Sequence, residues 1–159
     1  MSTKLVNPEE SFVVAVDPGG TTGVAWVIGP RRWFGSTVCA GGRFGFFNWF
    51  TVQIGTGLMP TAVVCEDFII TDATARKTPQ PDPYRIIGWL ELWCYQHDVP
   101  FCLQSPAKGK GFGTDAKLKH LGWHSTGNGG HDVDAARHLL TFLAQHNDED
   151  VLAALKDFS

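Results

Sequence analysis

No two cysteines of this chain stand in a CxxC arrangement. The four present, Cys39, Cys65, Cys94 and Cys102, are scattered, and three of them sit inside apolar runs. That distribution argues against a zinc site or a disulfide frame, and the expectation is buried, reduced thiols in a cytoplasmic protein. No secretory pattern is visible, because MSTKLVNPEE is polar and has no apolar centre. Internal repeats and low-complexity blocks are missing as well, which leaves 159 residues to be read as a single domain spanning 1–159, with a core from about 11 to 146. The stretch from Phe44 to Cys65 lacks charge and is long enough to suggest a membrane span. Asn48, Gln53, Gly55, Gly57 and Pro60 interrupt it, so no membrane partner is expected.

An overall basic excess is also lacking: the formal net charge is -3. The distribution is more informative than the sum. Arg76, Lys77, Arg85, Lys108, Lys110, Lys117 and Lys119 lie in the middle third, and Asp148, Glu149, Asp150 and Asp157 crowd the end. A basic central face beside an acidic tail is compatible with DNA; scattered solvated charge is the plain alternative.

What is present is a succession of short apolar runs. Residues 12–17 (FVVAVD) are too continuously apolar to have a wet face, as in a central strand of a covered sheet. PGGTT is a turn, 23–28 (GVAWVI) a second strand, and 32–38 a third, together an antiparallel meander. Phe47, Phe50 and Ile54 recur at helical spacing within 43–55. Residues 61–66 (TAVVCE) return to a buried strand. Thr71 to Pro83 reads as a loop, and Ile86, Leu90, Trp93 or Cys94, and His97 trace a helix. A fifth strand covers 100–104, and SPAKGKGFG reads as a Lys/Gly loop. Thr114 caps a short helix through Leu121. The last main helix covers about 132–146, with Val133, Ala136, Leu140 and Leu143 on its core stripe, and a short helix near 149–157 follows. This order gives an α/β protein with a mixed five-stranded sheet, a three-strand meander plus two parallel strands, flanked by helices: the layout of the RNase H-like fold.

Carboxylates stand at the ends of these elements. Asp17 and Glu66 each finish a strand, and the two strands are neighbours at the sheet centre in that layout. Their side chains are expected to project together at one sheet edge, where open α/β sheets place ligands. Two carboxylates held close repel, and a divalent cation removes the penalty. His131 and Asp134, spaced i, i+3, share one face of the last helix and are the pair expected to approach them. Asp132 points to nearly the opposite side and suits the first helical turn electrostatically. It remains an alternative ligand, because a helix start can shift by a residue. Each acid also has a plain role: an Asx turn at Asp17, a solvated strand end at Glu66, a helix-start acid at Asp134.

VAVDPGGTTGVAW resembles the first motif of RuvC-like Holliday junction resolvases, with its DPG turn and Thr-Gly. CEDF is similar to the family's glutamate at the end of the fourth strand, and HDVDAARHLL to its C-terminal motif. The resemblance runs from residue 12 to about 143 and is closest to the resolvases of mycobacteriophages, which implies a host bacterial cytoplasm. It implies Asp17, Glu66 and Asp134 as catalytic acids and metal ligands, with His131 in the fourth position. Lys117 in GTDAKLKH is similar to the family's basic residue near the scissile phosphate, with Lys108, Lys110 and Lys119 as alternatives. The aromatic wedge that bacterial members carry three residues after the glutamate is replaced by Ile69, and Phe68, one residue earlier, reads as a core side chain.

The implied activity is phosphodiester hydrolysis of branched DNA, four-way junctions above all, by a homodimer assisted by two Mg2+ or Mn2+ ions about 3.5–4 Å apart. Asp17 is the implied bridge between the ions. Arg76, Lys77, Arg85, Lys108, Lys110 and Lys119 are expected to hold DNA backbone, and the aromatic segment 44–50 to contribute to the dimer contact. Two other readings fit parts of the pattern. DPGGTTG also suits the phosphate loop of an actin-like or sugar-kinase-like ATPase, which needs a second lobe that 159 residues cannot supply. A non-catalytic nucleic-acid-binding module on the same fold leaves the set of acids without a purpose.

Overall fold

The computed structural model describes residues 11–75 and 81–158. Arg76 and Lys77 lie outside the described residues. The strands are β1 (Phe12–Asp17), β2 (Thr22–Ile28), β3 (Trp33–Cys39), β4 (Ala62–Glu66) and β5 (Phe101–Gln104). The helices are α1 (Gly42–Gly55), α2 (Asp72–Ala75), α3 (Asp82–Gln96), α4 (Pro106–Phe112), α5 (Asp115–Leu121), α6 (His131–Gln145) and α7 (Glu149–Lys156). The sheet order is β3-β2-β1-β4-β5, with β1, β2 and β3 antiparallel and β4 and β5 parallel to β1.

Both faces of the sheet are covered, which is why β1 and β4 read as continuous apolar runs. Phe12, Val14, Val16, Val63 and Cys65 face α1 and α3 and pack with Phe46, Phe50, Ile86 and Leu90. Val13, Ala15, Ala62 and Val64 face the other way, against Val133, Ala136, Leu140 and Leu143 of α6. In a strand, alternate residues share a face. Asp17 and Glu66 therefore continue the α6 side of their strands.

Two segments differ from the sequence expectation. Residues 71–83 were expected as a loop, yet Asp72–Ala75 form a helical turn and α3 begins at Asp82, with Pro83 in its first turn, where a missing N–H costs nothing. SPAKGKGFG, expected as a loop, is helix α4, capped by the Ser105 hydroxyl, which accepts from the Lys108 N–H. Its glycines oppose a helix locally. Packing overrides that: a Cβ on Gly109 would lie 2.6 Å from His138 Cε1, and one on Gly113 would lie 2.7 Å from Arg137 Cα. The glycines let α4 lie against α6. The aromatic segment expected at a dimer contact is mostly inward: Phe46, Phe47 and Phe50 pack against Trp89, and Phe44 is 67% exposed. Among the described residues no helix is long and apolar enough to cross a membrane, and all four cysteines are free.

Candidate active site

The site is built where β1 and β4 end beneath the start of α6. The parallel register Val16↔Cys65 sets Asp17 beside Glu66. On the other side Asp17 pairs with Gly23 of β2. Gly23 is where α6 comes closest: a Cβ there would lie 1.9 Å from the His131 carbonyl oxygen. Only a glycine lets the helix start so near the sheet. The approach brings His131 Nδ1 to 3.2 Å from Asp17 Oδ2.

Asp17 is 8% exposed. Burial, and next the neighbouring Glu66 charge, push its carboxyl up to about 7; Asp134 adds to the rise, while the hydrogen bond from His131 opposes it. An acid so placed is costly to ionise, and the His131 contact offsets only part of that cost. The other two acids have partners as well. Glu66 Oε2 lies 2.6 Å from His138 Nε2. Asp134 Oδ1 accepts from Arg137 Nε at 3.2 Å. Arg137 also donates to the Gly113 carbonyl at 2.7 Å and to Asp115, so it ties α6 to the junction of α4 and α5.

Asp132, the alternative ligand, is buried, which raises its pKa, but Oδ2 accepts from Ser125, Asn128 and Ser36, and hydrogen bonding holds its carboxyl below the ordinary value; Oδ1 has no hydrogen-bond partner among the described residues. Its role is to fasten the 125–128 segment and β3 to the start of α6. Lys117 is not brought to the acids by any contact among the described residues. Its ammonium donates to the Phe112 carbonyl at 3.1 Å and rides 3.8 Å over the Phe112 ring. Lys108 and Lys110 are exposed on α4, Lys119 on α5 and Arg85 in the first turn of α3. Phe68 packs edge-on against Tyr84, with ring centroids 5.0 Å apart, and is partly buried against the core on the α1 and α3 side. Ile69 and Ile70 are 50% and 64% exposed.

The donor set suits a hard divalent cation: carboxylate oxygens from three chain elements, with Asp17 disfavoured as an uncompensated anion by burial and by Glu66. As the side chains stand, no group of three or more His, Cys, Asp or Glu among the described residues is close enough to hold a metal ion. Glu66 is turned to His138 and Asp134 to Arg137. These two basic partners, and Gln104 behind His138, were not singled out from the sequence. Only Arg137 had a signal in the sequence, the helical spacing that sets it i, i+3 from Asp134.

The sheet order, with α6 laid across β2, β1 and β4, defines an RNase H-like fold. No protein-family model matches the chain, and no curated protein does. Among solved structures the chain is similar to Thermus thermophilus RuvC in complex with a Holliday junction substrate, with a TM-score of 0.61 and 17% identity, covering 86% of this chain and 96% of that one. It is also similar to a second Thermus thermophilus RuvC structure, with a TM-score of 0.57 and 17% identity over 84% and 95% of the two chains. The likeness is one of fold.

Proposed function

We propose that the protein is a metal-dependent endonuclease that resolves four-way DNA junctions, a RuvC-like resolvase of the kind mycobacteriophages carry. One observation carries the reading. Asp17 and Glu66 end adjacent parallel strands on the same face, and α6 starts directly above them with His131 on Asp17 and Asp134 within electrostatic reach. A neighbour in fold was captured with a Holliday junction.

Asp17, Glu66 and Asp134 are the residues that would hold Mg2+ or Mn2+. The three sit on converging backbone, and closing the set would need the Asp134 side chain to leave Arg137 while Glu66 keeps one oxygen on His138. Divalent cations bound there supply Lewis-acid chemistry to phosphodiester hydrolysis. His131, hydrogen-bonded to Asp17 and half exposed, is placed to hold a proton at Nδ1 or to serve as a fourth ligand. Arg137 holds Asp134 in the metal-free protein and would release it on cation binding. Lys108 and Lys110, exposed on the helix that packs beside α6, would hold DNA backbone, as would the exposed Lys119 and Arg85. Cutting both strands of a junction symmetrically calls for a two-fold dimer.

The direct test incubates the protein with a synthetic immobile four-way junction and a matched linear duplex in Mn2+. Cleavage of the junction, and little of the duplex, is expected; equal cutting of both would reduce the activity to that of a general nuclease, and no cutting would remove it. Junction affinity is also expected to fall steeply with salt. Lys108→Ala and Lys110→Ala should each lower the slope of log affinity against log salt by about 1, which a filter-binding series at several salt concentrations measures.

A further inference from the structure

We propose that His138, held by Gln104, is a positioning residue that aims the Glu66 carboxylate into the cation pocket. This rests on the nuclease reading and deepens it. The relay joins three elements: Glu66 ends β4, Gln104 ends β5 beside it, and His138 stands on α6 above both. His138 and Gln104 are each 1% exposed. The His138 ring spans them, with Nε2 2.6 Å from Glu66 Oε2 and Nδ1 2.9 Å from Gln104 Oε1.

Buried polar side chains are costly unless each finds a partner, so a histidine and a glutamine placed together in a core need a reason. Nε2–H donates to the carboxylate. With both ring nitrogens protonated, Nδ1–H donates to Gln104 Oε1 as it stands; in the neutral ring Nδ1 is an acceptor, and exchanging the amide's O and N lets it accept from the NH2, which also gives Gln104 Nε2 a partner. In both arrangements Gln104 holds the ring from behind. The ring cannot swing away toward α4. Gly109 is packed on it so tightly that a Cβ would lie 2.6, 2.8 and 2.9 Å from Cε1, Nε2 and Nδ1. The glycine that α4 carries is thus part of the same device. One oxygen of Glu66 is fixed by the ring, and the other is left for a cation. Hydrogen bonds of this kind behind a ligand carboxylate typically change metal affinity by about 10–100-fold when removed.

The test is calorimetric titration of the full-length protein with MnCl2 in the absence of DNA. His138→Leu is expected to bind Mn2+ at least about tenfold more weakly than the wild type. Glu66→Gln should show a similar loss, and the double variant should be no weaker than Glu66→Gln alone, because both changes act through one carboxylate. Gln104→Met keeps the ring and the packing and removes only its amide partner; a severalfold loss is expected, and this variant decides the matter if His138→Leu does not fold. Wild-type affinity in a folded His138→Leu, or in Gln104→Met where the leucine variant fails to fold, overturns the proposal. Additive losses in the double variant overturn it too. Should the wild type itself take up no Mn2+, the nuclease reading fails and takes this proposal with it; normal uptake by wild type and variants alike overturns this proposal alone.

Discussion

Asp17→Asn is expected to abolish junction cleavage, by about three orders of magnitude or more, and to make the metal-free protein more stable. Both effects have one cause. Asp17 is buried beside Glu66, and its carboxyl is pushed from 3.8 up to about 7. The folded state therefore holds the Asp17 proton more tightly than the unfolded chain does. Stability from this group is fully present below the unfolded value of 3.8 and is lost as pH rises to about 7, above which the penalty is level. Its size is of order 4 kcal/mol when the acid is fully charged. Asparagine keeps the shape and removes the charge. In chelator, the variant should melt at about the wild-type temperature near pH 4 and at least about 5 °C above it at pH 8. Added Mn2+ should raise the wild-type melting temperature at pH 8 and leave the variant unmoved. A variant that melts below the wild type at pH 8 would mean that Asp17 is an ordinary structural acid.

The second large effect is expected at Gly23→Ala, a methyl group with no charge at all. The added Cβ would sit 1.9 Å from the His131 carbonyl and 2.7 Å from the Asp132 amide nitrogen. Both are backbone atoms, so no side-chain rotation relieves the clash. Either the start of α6 lifts from the sheet or β2 shifts away from Asp17, its partner across the ladder. The expected cost is about 3 kcal/mol of stability, read by chemical denaturation. Cleavage should fall further than lost folding explains, because His131 and Asp134 ride on the displaced turn. Gly55→Ala, where a Cβ meets nothing within 4 Å, is the control and should behave as wild type in both assays.

Much of this site could be read from the chain. FVVAVD and TAVVCE are short apolar runs that end in acids, legible as buried strands from pattern alone; the side-by-side placement of Asp17 and Glu66 followed once the element order had given the RNase H-like layout, in which the first and fourth strands are neighbours. The core stripe of α6 was equally plain, since Val133, Ala136, Leu140 and Leu143 repeat at helical spacing and all are buried. The helix α4 was hidden because its glycines argue for a loop, and the reason they are tolerated is the surface of α6, which is distant in sequence. His138 and Gln104 were hidden for a related reason. A histidine inside an apolar stripe has no local signature; its partners come from the ends of two strands, 72 and 34 residues away. Asp132 shows the opposite case. Local spacing allowed it as a ligand, and the serines and asparagine that occupy it were visible only once the chain was folded.

The central claim is that Asp17, Glu66 and Asp134 share divalent cations. Anomalous diffraction from crystals soaked in Mn2+ tests it most directly. The account expects manganese on the Asp17 carboxylate, shared with Glu66 and with Asp134, the latter having let go of Arg137. Crystals that bind no manganese at Asp17, or bind it only elsewhere on the molecule, would contradict it.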